Sequence, residues 1–218
     1  MEVREPIRFT ALAVLVILAV VFLASRRDSL QRARILKRVG LGVLASITAF
    51  FGLFVAAETI TDPGGWKGLG LVAAWLVPLG VLAAVAWYRP VWAVRLFAVL
   101  VAAVIGVSVW FATNPEGWRT FEDRHGPVRA IISLVLAAAV ALLGWKRTTA
   151  AGVLLLVLGV VPVVVSGLGS SLGLVSLAMV SSAAAIVGVL YLWSVAVADR
   201  SAPPGGSQAR PEGRPKPA

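Results

Sequence analysis

Seven long apolar stretches fill almost all of the chain between Ile7 and Val197, and each is long enough to cross a lipid bilayer. Of the 218 residues 59% are hydrophobic and only 14% are charged, whereas about a quarter are charged in a typical soluble protein. Open strands would leave backbone groups unpaired in lipid, and the alternating pattern of a membrane barrel is missing. The sequence therefore predicts an all-α, polytopic transmembrane helical bundle of about seven helices.

The domain organisation follows from the same pattern. We predict a transmembrane domain over residues 1–200 and a disordered cytoplasmic tail over residues 201–218, which is rich in Pro, Gly and charge and has no apolar face. The first span has the length of a signal peptide, but Arg26 and Arg27 follow it at once, so it is interpreted as an uncleaved helix. The predicted helices lie near residues 7–25, 39–60, 69–88, 91–112, 128–145, 149–167 and 172–197.

The distribution of Lys and Arg between the connections predicts the orientation. Thirteen of the twenty basic residues fall on the side that holds the C-terminal tail, six fall on the opposite side, and Arg95 lies within the fourth span. Because basic residues accumulate on the cytoplasmic side, the N-terminus is predicted outside and the C-terminus in the cytoplasm. Arg outnumbers Lys sixteen to four, a bias expected from a GC-rich bacterial genome, so a bacterial plasma membrane is the expected location.

Most Trp and Tyr residues fall near the ends of the predicted spans, where aromatic rings favour the membrane surface. Only Trp75 is placed inside a span. Anchoring at the surface is favoured over the lining of a ligand pocket. The residues assigned to the outer surface are Trp66, Trp110 and Trp118, and those assigned to the inner surface are Trp87, Tyr88, Trp92, Trp145, Tyr191 and Trp193.

A seven-residue motif occurs twice on the predicted outer side. Residues 61–67 and 113–119 share four identical and two similar positions, with Pro and Trp in register. Each copy follows one span and precedes the next, so the repeating unit is predicted to be a two-helix hairpin. Each hairpin enters from the same side, so the repeats are predicted to be parallel rather than inverted. The candidate residues of this outer-loop repeat are Asp62, Pro63, Trp66, Asn114, Pro115 and Trp118.

The repeated motif has a structural explanation that needs no ligand. An Asp or Asn side chain can cap a short helix, Pro suits the first helical position, and Trp rests in the membrane interface two or three residues later. Structural anchoring is therefore favoured over ligand contact for these loops.

The net charge of +10 would suggest nucleic-acid binding in a soluble protein. In a membrane protein, basic residues in cytoplasmic connections set the topology and meet anionic lipid, so no nucleic-acid partner is expected. The densest basic run, Arg26 to Arg38, could also be a short interfacial helix or a docking patch for an acidic partner. The expected partners are the lipid bilayer and either another membrane protein or a second copy of the chain.

The residue inventory offers little to catalysis. The chain has no Cys and one His, His125, so a His-rich metal site and a Cys–His nucleophile are both missing. No nucleophile elbow, HExxH or phosphate-binding loop is present, and every Asp lies in a loop or tail. We expect no enzyme activity, no catalytic residues, no metal and no cofactor.

Glu58 is the one acidic residue within a predicted span, near the outer end of the second helix. Ionisable groups inside membranes are functional candidates, because insertion of a charge at the helix centre costs about 3 kcal/mol. Glu58 is less than one turn from Thr61, so it could instead reach outer water or pair with Lys67 or Arg119. A role in transport and a role as an interfacial carboxylate both stay open, with the second favoured.

Small residues recur every four positions in two spans and predict close helix packing, because small side chains let helix backbones approach in lipid. Internal packing is the favoured use, although the same faces could bind a second subunit. The small residues are Ala98, Ala102 and Gly106 in the fourth span, and Ser181, Ala184, Ala185 and Gly188 in the seventh.

One resemblance rests on Trp66, Pro78, the Ala86-Trp87 end of the third span, and residues 188–193. These features resemble small multi-pass membrane proteins of actinobacteria and related bacteria, a family with no assigned activity. The similarity covers roughly residues 39–193. It implies location and architecture, and it carries no site residues to this chain.

We expect a structural or accessory subunit that works through helix contacts in the membrane. The alternative is a carrier or channel for a small or lipophilic molecule, with Glu58 and the outer loops at its entrance. An inner cavity lined by Glu58, Thr48, Ser108 and Ser176 would favour transport, whereas a solid core of Ala, Val and Leu would favour the accessory role.

Overall fold

The computed structural model describes residues 29–61, 65–114, 128–169 and 174–200, and all regular secondary structure in these ranges is α-helical. The predicted first span, residues 7–25, and the predicted tail, residues 201–218, lie outside the described residues. The other six predicted spans each coincide with one helix. These helices are α1 (Ser29–Thr61), α2 (Gly65–Tyr88), α3 (Pro90–Thr113), α4 (Val128–Leu143), α5 (Thr148–Gly169) and α6 (Leu174–Asp199).

Five of the helices in the described ranges, α1, α2, α3, α5 and α6, are long and apolar enough to cross a membrane. The prediction of an all-α, membrane-embedded protein is confirmed at this level, whereas the count of seven helices and the hairpin repeat stay predictions. Helix α4 is shorter: its 16 residues span about 24 Å at 1.5 Å per residue, against a hydrocarbon core of about 30 Å. The predicted end at Trp145 was two residues too late, because residues 144–147 leave the helix.

Helix α4 lies at the centre of the described bundle. It packs against all five of the other helices, and these contact one another in the closed order α1, α2, α3, α5, α6 and back to α1. Its side chains are buried almost all round, from Leu134 to Leu143, with Ile132 half exposed. The bundle is therefore a ring of five helices around a sixth, and its centre is filled by apolar side chains.

Tyr191 belongs to this core, although the sequence assigned it to the inner membrane surface. Its side chain is 1% exposed, and its hydroxyl donates a hydrogen bond of 2.8 Å to the Ala141 carbonyl of α4. The ring lies against Gly144, where an added Cβ would overlap it. The ring faces the centre of the bundle because the Ala141 carbonyl of α4 accepts its hydrogen bond and Gly144, directly after α4, leaves room for it.

Helix α1 is the longest of the described helices. Its 33 residues span about 50 Å, which exceeds the hydrocarbon thickness. The basic residues Arg32, Arg34, Lys37 and Arg38 lie on its first three turns. This part of the basic run is therefore continuous with the second predicted span and does not form a separate interfacial helix.

The two ends of the bundle are identified by contacts between helices. At one end, which we call the basic end, the Lys146 ammonium donates a hydrogen bond to the Trp87 carbonyl and lies 4.8 Å from the centroid of the Trp87 ring. At the opposite end, the Arg129 guanidinium lies 5.4 Å from the centroid of the Phe111 ring. Helices α2 and α4 thus end together, and α4 begins where α3 ends.

Candidate functional site

Two residues of the predicted outer-loop repeat, Trp66 and Asn114, lie at helix ends, opposite the basic end. Trp66 is the second residue of α2 and is 88% exposed. Asn114 follows α3 directly, and its backbone N–H donates to the Phe111 carbonyl at 3.3 Å. Asp62, Pro63, Pro115 and Trp118 lie outside the described residues. The anchoring role of the repeat stays a prediction.

Glu58 lies in the last turn of α1, as the sequence placed it, but its side chain lies outside the described part of the structure. The same holds for Ser176 in α6. Of the other two polar residues expected to line a transport cavity, Ser108 is buried and donates to the Val104 carbonyl of its own helix at 2.8 Å. Thr48 lines a separate cavity, so Thr48 and Ser108 do not form one polar site.

The small residues of α6 pack α6 against α5. A Cβ added at Gly159 of α5 would lie 2.5 Å from backbone atoms of Ser181 and Ala185. A Cβ at Gly188 would lie 2.8 Å from the backbone nitrogen of Leu156 and 2.9 Å from the Gly152 carbonyl oxygen. The two backbones are therefore nearly in contact, which is the use that small residues at this spacing allow.

The small residues of α3, by contrast, face away from the other described helices. Ala98, Ala102 and Gly106 are all exposed, and a Cβ added at Gly106 would meet no atom within 4 Å. The large side chains Phe97 and Val101 of the same helix are buried against its neighbours. We call the exposed stripe formed by Ala98, Ala102 and Gly106 the α3 small-residue face.

An apolar cavity lies between α1, α2 and α4, and its volume is about 580 Å³. The Trp75 ring crosses from α2 to α1 and covers Gly52, where an added Cβ would overlap it. Thr48 also lines this cavity, and its hydroxyl has no hydrogen-bond partner within the described residues. The volume is in the range of small-molecule sites, which run from about 300 to 1,000 Å³.

A smaller cavity of about 260 Å³ lies between α2, α3 and α4. Its walls are apolar except for Arg129, the second residue of α4, which is only 8% exposed. Arg129 is one of the six basic residues that the sequence analysis assigned to the outer side, and its burial was not predicted. The sequence signal for this burial was weak, because an Arg directly before a long apolar run can lie either in water or against the bundle. The helix is uniformly apolar, so its periodicity does not distinguish the two positions.

The described residues present apolar surface and few reactive side chains. In the described ranges, no three His, Asp or Glu side chains come together in a way that could hold a metal ion. The expectations of no enzyme activity, no cofactor and no nucleic-acid partner stay predictions. At the side of the bundle, the described residues form an exposed small-residue face and apolar cavities between helices.

Comparison with protein-family models, with curated proteins and with solved structures gives no match for this chain.

Proposed function

We propose that this membrane-embedded protein is a structural or accessory subunit, which binds another transmembrane helix through the α3 small-residue face. The observation that carries the proposal is the outward direction of Ala98, Ala102 and Gly106. Lipid tails are as apolar as a Leu side chain, so helices in a membrane associate through close packing rather than through the hydrophobic effect. A stripe without bulky side chains lets a partner backbone approach closely.

The interface between α5 and α6 gives an internal example of this packing. Gly152, Gly159 and Gly188 bring those two backbones together. The α3 small-residue face presents Ala and Gly at the four-residue spacing that Ala184 and Gly188 have in α6, but it has no neighbour among the described helices. A partner helix that packs there would make the contacts that α6 makes with α5.

The filled centre of the bundle supports a role in contacts with another transmembrane helix rather than a role in moving hydrophilic solutes. Helix α4 occupies the position where a central pore would run, and its neighbours bury Leu, Val and Ala side chains against it. A water-filled path needs polar groups or open volume along the membrane normal. Within the described residues both cavities are apolar and lie between helices at the side of the bundle.

The location and orientation belong to the same proposal. The excess of Lys and Arg on the side of the C-terminal tail supports an N-terminus outside and a C-terminus in the cytoplasm. The bacterial plasma membrane is the proposed location, on the Arg-rich composition. The partner is either another membrane protein or a second copy of this chain.

Site-specific cross-linking in native membranes tests the proposed contact. The chain has no native Cys, so Ala102→Cys places a single thiol on the α3 small-residue face and Ala74→Cys places one on the exposed side of α2 as a matched control. We expect a thiol-linked photoreactive cross-linker, which reacts with apolar side chains, to give one discrete product with Ala102→Cys and none with Ala74→Cys. The mass of that product separates a second copy from another protein.

A second pair of variants tests whether the contact holds the complex together. Gly106→Leu should lose the partner on purification from a tagged C-terminus in mild detergent, whereas Ala74→Leu should keep it. Because Gly106 has open space around it, we expect Gly106→Leu to fold normally. Recovery of the wild-type protein alone, together with absence of a cross-linked product, would overturn the proposal.

The second candidate function is a carrier for a lipophilic molecule, and the 580 Å³ cavity favours it. Trp75 and Thr48 would then form part of the binding site, with Glu58 near the entrance. Trp75→Ala in purified protein should abolish binding of a lipophilic fluorescent probe if this cavity is a ligand site. Glu58→Gln should change uptake into proteoliposomes only if the carboxylate takes part in transport.

A further inference from the structure

The 260 Å³ cavity between α2, α3 and α4 combines an apolar slot with one buried positive charge. Its walls are Leu82 from α2, four residues of α3 and three of α4. Among the described side chains that line it, Arg129 is the only ionisable one. The combination of an apolar slot and a cation matches the chemistry of an anionic amphiphile, which has a charged head and a hydrocarbon chain.

The order of residues along the two helices gives the cavity a direction. Val107 of α3 and Arg129 of α4 lie toward the end of the bundle opposite the basic end, whereas Leu100 and Leu136 lie deeper. Seven residues separate the two levels on each helix, which is about 10 Å at 1.5 Å per residue. The charge therefore lies at the shallow end of the slot, and the apolar walls extend toward the middle of the membrane.

The Arg129 side chain is held in place by its surroundings. It is 8% exposed, and the face of the Phe111 ring lies 5.4 Å from the guanidinium carbon. Arg stays charged at every physiological pH, and its planar group donates paired hydrogen bonds to phosphate or carboxylate oxygens. Charged groups inside a membrane are costly, so a buried Arg in a membrane helix is a candidate for a binding site.

We propose that this cavity binds an anionic phospholipid, with the lipid phosphate on the Arg129 guanidinium and one acyl chain in the slot between α2 and α3. Arg129 lies in the first turn of α4, at the shallow end of the slot. The apolar walls below it are where the acyl chain of the same lipid would run. The inference is independent of the α3 small-residue face and could hold if the accessory role fails.

Native mass spectrometry of the full chain in mild detergent measures this binding. The probes are phosphatidylglycerol, which carries the anionic phosphate, and diacylglycerol, which has the same chains and no phosphate. We expect the wild-type protein to bind the anionic lipid about tenfold more tightly, since charge-assisted hydrogen bonds of about 1.5 kcal/mol or more correspond to that ratio. Arg129→Gln should bring the ratio close to one, while Arg129→Lys keeps a preference because it keeps the charge.

A second pair of variants tests the slot without touching the charge. Ala103 lines the cavity, whereas Ala74 lies on the exposed side of α2 and lines neither cavity. Ala103→Phe should fill the slot and remove the tightly bound lipid of either type, whereas Ala74→Phe should leave binding unchanged. This pair also decides the outcome if Arg129→Gln does not fold.

Two results would overturn the proposal. One is an equal affinity of the wild-type protein for the two lipids. The other is a preference for the anionic lipid that persists unchanged in Ala103→Phe, which would place the lipid on the exposed basic residues of the surface instead of in the cavity. Both readouts use purified protein without a partner, so they do not depend on the proposed subunit role.

Discussion

The α3 small-residue face and the interface between α5 and α6 carry the same sequence pattern in opposite environments. At the interface, a Cβ at Gly159 would lie 2.5 Å from backbone atoms of α6. On α3, a Cβ at Gly106 would meet nothing within 4 Å. The pattern therefore indicates that another helix can pack closely against this backbone. It does not indicate whether that helix belongs to the same chain.

The difference between the two regions has a local cause. Helices α5 and α6 follow each other with four residues between them, so they pack as chain neighbours. Helix α3 uses its larger side chains Phe97, Val101 and Phe111 to face the bundle. Its small residues are left on the other side, where they contribute nothing to the internal packing of the described helices.

The largest expected effect is at the buried interface. Gly159→Ala should lower the free energy of unfolding by about 2 kcal/mol, because the added methyl group overlaps backbone atoms that cannot rotate away. Thermal unfolding in mild detergent, followed by circular dichroism, measures the change. A variant as stable as the wild-type protein would show that α5 and α6 lie further apart than the structure has them.

A smaller effect is expected at the hydrogen bond that joins α6 to the central helix. Tyr191→Phe removes the donor to the Ala141 carbonyl and should lower stability by about 1 kcal/mol or less. The same unfolding measurement applies, with Tyr88→Phe as a control because Tyr88 is 77% exposed. Equal stability of the two variants would mean that the Tyr191 hydroxyl contributes nothing to the core.

The smallest effect is expected on α3. Gly106→Ala should change stability by about 0.5 kcal/mol or less, and in the stabilising direction, because Ala favours the helix and the site has room. It is the same substitution as Gly159→Ala, so the pair compares the two environments directly. Destabilisation of Gly106→Ala in purified protein would indicate that this face is already occupied.

Much of the fold could be predicted from the sequence because a bilayer imposes strict requirements on length and polarity. Six predicted spans coincide with helices, and the ends differ by a few residues, except that α1 begins ten residues before the predicted start at Val39. The extension carries charged residues, so the hydropathy pattern placed the start of the span at the beginning of the apolar run. The helix itself begins earlier, at Ser29, because no residue in Ser29–Arg38 breaks it.

The neighbours of each helix could not be predicted in the same way. In a membrane protein, side chains that face lipid and side chains that face the core are both apolar, so periodicity gives little information about direction. The sequence could not show that α4 is central, that Arg129 faces a cavity or that Tyr191 faces the core. Nor could it show that the stripe on α3 points outward while that on α6 points inward.

The position of α4 has a consequence for the order in which the bundle is completed. Helices α1 to α3 emerge from the ribosome before α4, whereas α5 and α6 follow it. Until α6 arrives and packs against α1, the ring around α4 is open on one side. Helix α4, which is shorter than the hydrocarbon thickness, then contacts lipid along that side. Its burial is completed only by the contact between α1 and α6. Of the contacts between described helices, this one closes the ring, so a chain that stops before residue 174 would leave α4 exposed to lipid.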